Sequence, residues 1–135
     1  MHVDGACHCG AISFSADIDA SRVVACHCED CQILSSAPFR VVAIAAIETV
    51  HMRGEPKRYV KTAQSGVKRI QAFCGECGTP LYSSALDKPT HLNLRLGTLR
   101  QRTVLAPMLQ IWKRSAAPWL DGLARVPSCL QQERL

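Results

Sequence analysis

Apolar and polar residues alternate along much of this chain. Ile12, Phe14 and Ala16 interleave with Ser13, Ser15 and Asp17, the period of two that marks a strand with one buried face. His91 to Leu96 repeats the pattern more cleanly. Leu92, Leu94 and Leu96 fall on one side and His91, Asn93 and Arg95 on the other, with Gly97 ending the run. Ala20 to Ala25 reads as a second short strand leading into Cys26. Phe39 to Ile47 is almost wholly apolar, and periodicity does not separate strand from buried helix there. The short strands and turns that follow decide for a strand. Thr49 to Met52 is another, closed by the turn Gly54-Glu55-Pro56. Arg58 to Lys61 and Val67 to Phe73 form a hairpin around Gln64-Ser65-Gly66. Leu81 to Ser83 and Leu109 to Lys113 complete the set. Residues 28 to 35 fit one helical turn around Cys31, broken by Ser36-Ala37-Pro38. This pattern predicts an all-β sandwich or barrel-like fold in one domain over residues 1–135. Ser128 to Leu135 is expected to fray.

Composition narrows the class. Hydrophobic residues make up 47% and charged residues 20%, ordinary values for a globular chain. The longest apolar run, Val41 to Ile47, is far too short for a membrane span. The opening residues Met1 to Ala6 have neither a basic nor an apolar leader region, so a cytoplasmic location with reduced thiols is expected. The net charge of +5 is spread along the chain. Without a block of like charge or interleaved aromatics, nucleic-acid binding is weakly supported. Two regions are nevertheless basic. One holds Arg53, Lys57, Arg58, Lys61, Lys68 and Arg69; the other runs from Lys88 to Leu120 without an acidic residue. Either could face an anionic ligand or anionic thiolate–metal sites.

Seven of the eight cysteines lie in three knots: Cys7-His8-Cys9-Gly10, Cys26-His27-Cys28-Glu29-Asp30-Cys31 and Cys74-Gly75-Glu76-Cys77-Gly78. Cysteines this close suit one metal ion better than a disulfide framework. Cys74 and Cys77 make half a zinc site, and Cys7 and Cys9 are the natural other half. That closed four-thiolate site would be structural. Cys26, Cys28 and Cys31 remain for a second site with one position open. Three thiolates weaken zinc as a Lewis acid, so activation of water is disfavoured. An incoming thiol suits the site better, held as a nucleophilic thiolate against a carbonyl or other soft carbon. Competing readings are a histidine closing the site (His27, His2, His51 or His91) and an iron–sulfur cluster. His8 and His27, placed between ligands, are expected to point outward. Cys129 reads as a spare thiol.

On these cysteine knots, together with Ala37-Pro38-Phe39, Phe73-Cys74-Gly75-Glu76-Cys77-Gly78-Thr79-Pro80-Leu81, Gly97-Thr98-Leu99 and Pro118-Trp119, the chain resembles the glutathione-dependent formaldehyde-activating enzyme family, which includes centromere-protein-V-like proteins. The resemblance implies an Mss4-like fold of packed antiparallel sheets with two zinc sites and only short helical turns. It implies a structural zinc on Cys7, Cys9, Cys74 and Cys77. A second zinc, on Cys26, Cys28 and Cys31, would be where glutathione's thiolate meets formaldehyde, giving S-(hydroxymethyl)glutathione in a carbon–sulfur lyase reaction. Its partners would be a glutathione-like thiol and a small aldehyde. Three places depart from the family pattern, none at a zinc ligand and all able to touch the substrate: Arg100-Gln101-Arg102 in place of an acidic pair and proline, Gln110 in place of histidine, and Ser36 in place of glycine. Lys57, Arg58, Arg95, Arg100 and Arg102 are candidate contacts for the thiol's carboxylates. Two non-lyase readings stand beside this one: a zinc module binding a protein or nucleic-acid partner, and a thiolate-based redox or metal sensor.

Overall fold

The computed structural model describes residues 1–132. Residues 133–135, the end of the segment expected to fray, lie outside the described residues. Among the described residues nine strands carry the fold: β1 (His2–Ala6), β2 (Ser13–Cys26), β3 (Arg40–Ala46), β4 (His51–Arg53), β5 (Lys57–Thr62), β6 (Lys68–Phe73), β7 (Pro80–Ala85), β8 (His91–Arg95) and β9 (Leu109–Ile111). One α-helix, α1 (Glu29–Ser35), follows β2, and the remaining helical turns are short 3-10 segments. The all-β expectation holds. Hydrogen-bonded order runs β1-β2-β3-β8-β7-β6-β5, and β4 and β9 also pair with β2.

Strand β2 is the spine. The sequence pattern suggested two strands here, but Ser13–Cys26 is continuous, with an irregular register between Ile18 and Val23. The two expected strands part at Ile18 and Asp19, the edge of that irregularity, where Asp19 to Arg22 are exposed. The first half of β2 carries β1 and β4; the second half carries β3 and β9. The β2–β9 pair is parallel, a departure from the antiparallel expectation.

Alternation along each strand drives one face into a common core. Val3, Phe14 and Ala16 come from the β1–β2–β4 side, and Ala43, Ile70, Leu81, Leu92 and Leu94 from the longer sheet. Ala43 and Ala45 are fully buried; side chains this small let the layers approach closely. Leu94 alone, fully buried, contributes on the order of 2 kcal/mol. The opposite face of the longer sheet is polar, and it builds the site described next. Past β9, Trp112, Trp119, Leu123 and Val126 are exposed. Among the described residues no helix is long and apolar enough to cross a membrane.

Candidate metal centres and the cavity beside them

Two tight turns bring the first four sulfurs together. Both are built alike. The Cys7 amide donates to the Ile12 carbonyl and the Cys74 amide to the Thr79 carbonyl, each five residues on, while Gly10 and Gly78 amides close back onto the Cys7 and Cys74 carbonyls. Gly10 and Gly78 sit at φ +80 and +75, left-handed backbone that a Cβ would strain. The His8 amide donates to Thr79 Oγ1 at 3.1 Å, tying one turn to the other. Sulfur separations are 3.6 Å for Cys7–Cys9 and 3.8 Å for Cys9–Cys74. A disulfide needs about 2.05 Å, whereas four thiolates around zinc at about 2.3 Å stand about 3.8 Å apart. All four donor atoms lie within 4.8 Å of one another, so this set fits a tetrahedral ion.

Cys26, Cys28 and Cys31 form the second cluster, with sulfurs inside the same 4.8 Å limit. β2 ends on Cys26, and α1 begins at once. Cys28 caps α1, its sulfur accepting the Cys31 amide at 3.4 Å. One helical turn therefore places Cys31 over Cys28 and Cys26. Among the described residues both clusters consist of sulfur alone. No histidine joins the three-cysteine set.

The sulfurs share protons unevenly. In the first cluster the Thr79 hydroxyl and amide pull Cys77 down to about 5. Cys9 is pushed up to about 12: the Ala11 amide pulls it down, but the Cys7 and Cys77 sulfurs outweigh it. In the second, hydrogen bonding from Cys31 pulls Cys26 down to about 5 against its burial. Cys31 is raised in turn, holding the proton that Cys26 gives up. Crowded thiols bridged by protons are the arrangement in which a cation displaces those protons. Thiolate donors suit zinc among the common ions.

Of the two clusters, the second alone lines a cavity of about 390 Å³. Its floor is the polar face of the longer sheet. Cys26 pairs with Arg40 across β2–β3, Val42 with Arg95 across β3–β8, and Ser83 with both Asn93 and Gln71 across β7. Its roof is α1 and Ile111–Ser115. Gln32 Nε2 clamps the two roof pieces, donating to the His27 carbonyl at 2.8 Å and the Ser115 carbonyl at 2.9 Å. Five basic side chains line the cavity against two acidic ones, Glu29 and Asp30. Asp30 is already paired with Lys61 at 2.7 Å.

Arg40 and Arg95 are 6% and 7% exposed. Both donate to one acceptor, Gln71 Oε1, at 3.2 and 2.6 Å. Burial, and then the charge of Arg40, push Arg95 down to about 9. Burial lowers Arg40 as well, while the charges of Cys31, Cys28 and Cys26 pull it back up.

Of the basic candidates, Arg95 alone lines the cavity. Lys57, Arg58, Arg100 and Arg102 do not. Arg100 and Gln101 bind Asp4 on β1 instead, so that departure anchors a strand. Ser36 ends α1 at φ +51; its place is a left-handed cap, and it is absent from the cavity lining. His8 is exposed as expected, but His27 is not. It is buried, Nε2 bonds Gln110 Oε1 at 2.8 Å, and its ring lies 5.3 Å from that of Phe39. Gln110 is thus the partner of His27 and does not line the cavity. Pattern reading missed Arg40, the one charge in an otherwise apolar strand, and that isolation was the signal. Cys129 is exposed, apart from both clusters.

Known proteins agree with this architecture. A crystal structure of a Rhodobacter sphaeroides protein matches with a TM-score of 0.60 at 18% identity, covering 82% of this chain and 99% of that one, a likeness of fold. A Schizosaccharomyces pombe protein named as an uncharacterized lyase is 35% identical over 79 residues, which is 58% of this chain and 55% of that protein. The chain therefore spans about half the length of that relative. The family model for glutathione-dependent formaldehyde-activating enzyme matches residues 2–115. With the cysteine clusters inside that span, the chain belongs to the glutathione-dependent formaldehyde-activating enzyme family.

Proposed function

We propose that this protein is a zinc-dependent carbon–sulfur lyase that interconverts a glutathione-type thiol plus a small aldehyde with their S-(hydroxyalkyl) adduct. Family membership and the lyase name of the yeast relative support the reaction class. The observation that carries the reading is the three-sulfur cluster opening onto a basic cavity. Cys7, Cys9, Cys74 and Cys77 would hold a structural zinc. Cys26, Cys28 and Cys31 would hold the second, leaving one position for substrate. Zinc bound there would keep an incoming thiol in its thiolate form.

The chain's residues do the rest. The excess of basic side chains draws an anionic thiol into the cavity. The roof formed by α1 and Ile111–Ser115 limits water around the sulfur. In the forward direction the sulfur lone pair forms the C–S bond to the carbonyl carbon. The carbonyl π pair moves to oxygen, which takes a proton, and the thiol's proton is released. In reverse, the hydroxyl loses its proton, the C–S bond breaks, and sulfur leaves with the pair.

The test is exchange between ¹³C-formaldehyde and S-(hydroxymethyl)glutathione, followed by NMR on zinc-loaded protein. Acceleration over the uncatalysed exchange is expected, falling at least about tenfold in Cys28→Ser, the scale of losing a positioned reactant. Wild-type exchange at the background rate sinks the proposal. So does Cys28→Ser retaining both glutathione affinity and full rate.

A further inference from the structure

The polar face of the longer sheet holds a pair of buried charges with no carboxylate partner among the described residues. Leu92 and Leu94 point into the core, so Arg95 points to the cavity side of β8, as Arg40 does on β3. Both guanidinium-bearing side chains are more than nine-tenths buried. Among the described residues neither makes a salt bridge to a carboxylate. A guanidinium carries five N–H donors. Here two guanidiniums share a single neutral acceptor, Gln71 Oε1, and the buried Arg95 Nε has no partner. Charge buried this deeply is retained when something neutralises it. The open space beside the pair is the cavity that also receives the three sulfurs.

Distance narrows the occupant. β3 and then β8 lie beside β2, so Arg40 stands one strand from Cys26 and Arg95 two. Arg95 also lies two residues further along, opposite Val42, so at about 4.8 Å per strand and about 3.4 Å per residue the pair begins about 5–12 Å from Cys26. A carboxylate on the residue next to a cysteinyl thiol lies about 3.5 Å of extended chain beyond it, which with the reach of the cysteine side chain falls at the near end of that range, beside Arg40.

We propose that Arg40, Arg95 and Gln71 form the anion subsite of this cavity, taking the carboxylate that the thiol co-substrate carries one residue from its sulfur. The inference rests on the thiol reading above and specifies the substrate class. Formaldehyde gives such a pair nothing to bind; a peptide thiol ending in a carboxylate does. Both arginines line that cavity, and a guanidinium can take a carboxylate through two N–H donors.

The experiment uses zinc-loaded protein and S-methylglutathione, whose capped sulfur offers no thiolate, beside its C-terminal carboxamide analogue. Binding of both is measured by calorimetry, with zinc content determined on each sample. The wild-type chain is expected to bind the acid about 10- to 100-fold more tightly than the amide, the scale of a charged hydrogen bond. Arg95→Met and Gln71→Glu are expected to erase that gap while leaving amide affinity and zinc content unchanged. Met matches the buried volume, and Glu supplies the missing anion internally, so the two variants perturb folding in different ways. Equal wild-type affinities, no binding of the acid, or a gap surviving in both variants overturns the subsite. A gap that survives while Arg95→Met loses zinc assigns the arginine to the thiolates and overturns it too. If discrimination fails but thiol–aldehyde exchange is catalysed, the subsite alone falls. If discrimination holds without exchange, the lyase reading alone falls.

Discussion

Cys77 is exposed, so Cys77→Ala removes one of four converging sulfurs without opening a cavity in the core. Its consequence should be large and global. Cys9 and Cys74 are 65 residues apart with sulfurs 3.8 Å from each other, so an ion at this cluster closes a loop of about half the chain. Treated as a cross-link, closing a loop of that length restricts the unfolded chain by about 4 kcal/mol. Ligand–metal bonding adds to this figure. For a chain of this size that corresponds to a drop of about 12–20 °C in Tm. The assay is denaturant unfolding under a chelator strong enough to leave the wild-type chain one zinc. Three-sulfur sites empty under these conditions, so Cys77→Ala should hold no zinc and lose about 4 kcal/mol. Cys28→Ala, which disturbs only the cluster spanning Cys26 to Cys31, should keep its zinc and unfold within about 1 kcal/mol of wild type. If Cys77→Ala loses zinc yet unfolds at the wild-type midpoint, the four sulfurs do not cross-link this fold. The assignment of a structural role would then be wrong.

Three further outcomes test particular contacts. Ser36 occupies a left-handed cap at φ +51, and Ser36→Gly should raise stability by about 0.5–1 kcal/mol in denaturant titration; a loss would show that the Ser36 side chain matters more than its backbone. Gln71→Glu gives Arg40 and Arg95 a charged acceptor. An uncompensated buried charge costs about 3–5 kcal/mol, and burial of the new carboxylate takes back part, so thermal unfolding should show a gain of about 1–3 kcal/mol. A destabilised variant would mean the pair is already neutralised. Gln110→Ala removes the partner of His27 Nε2 in a ring whose Nδ1 is already unpaired. It should cost about 1 kcal/mol, read from the urea midpoint, and an unchanged midpoint would show that water substitutes fully for the amide.

Much of the scaffold was legible along the chain because its causes are local. Strand β8 announced itself through Leu92 and Leu94, and the hairpin of β5 and β6 through Gln64-Ser65-Gly66, since alternation and turn chemistry act over a few residues. The cysteine knots were legible for the same reason: ligands one to three residues apart can meet only through a tight turn, whatever surrounds them. Less was visible at β2, where the alternation that ends at Asp17 and the strand that resumes at Ala20 are one continuous element whose register slips between Ile18 and Val23.

What the chain determined alone was therefore which residues extend, which face is apolar and which sulfurs belong to a knot. What only tertiary structure decided was the other face. Alternation assigned Asn93 and Arg95 to the side away from the core, and nothing in the sequence chose Arg95 among the five basic candidates. In the folded chain α1 and Ile111–Ser115 cover that side. Arg40 and Arg95 become buried charges beside three sulfurs, while Arg100 and Arg102, equally basic in sequence, stay outside the cavity. The physical reason is range. A strand's period is set by neighbours two residues away, but what roofs its polar face arrives from elements far along the chain, and burial there turns an ordinary surface arginine into a candidate binding site.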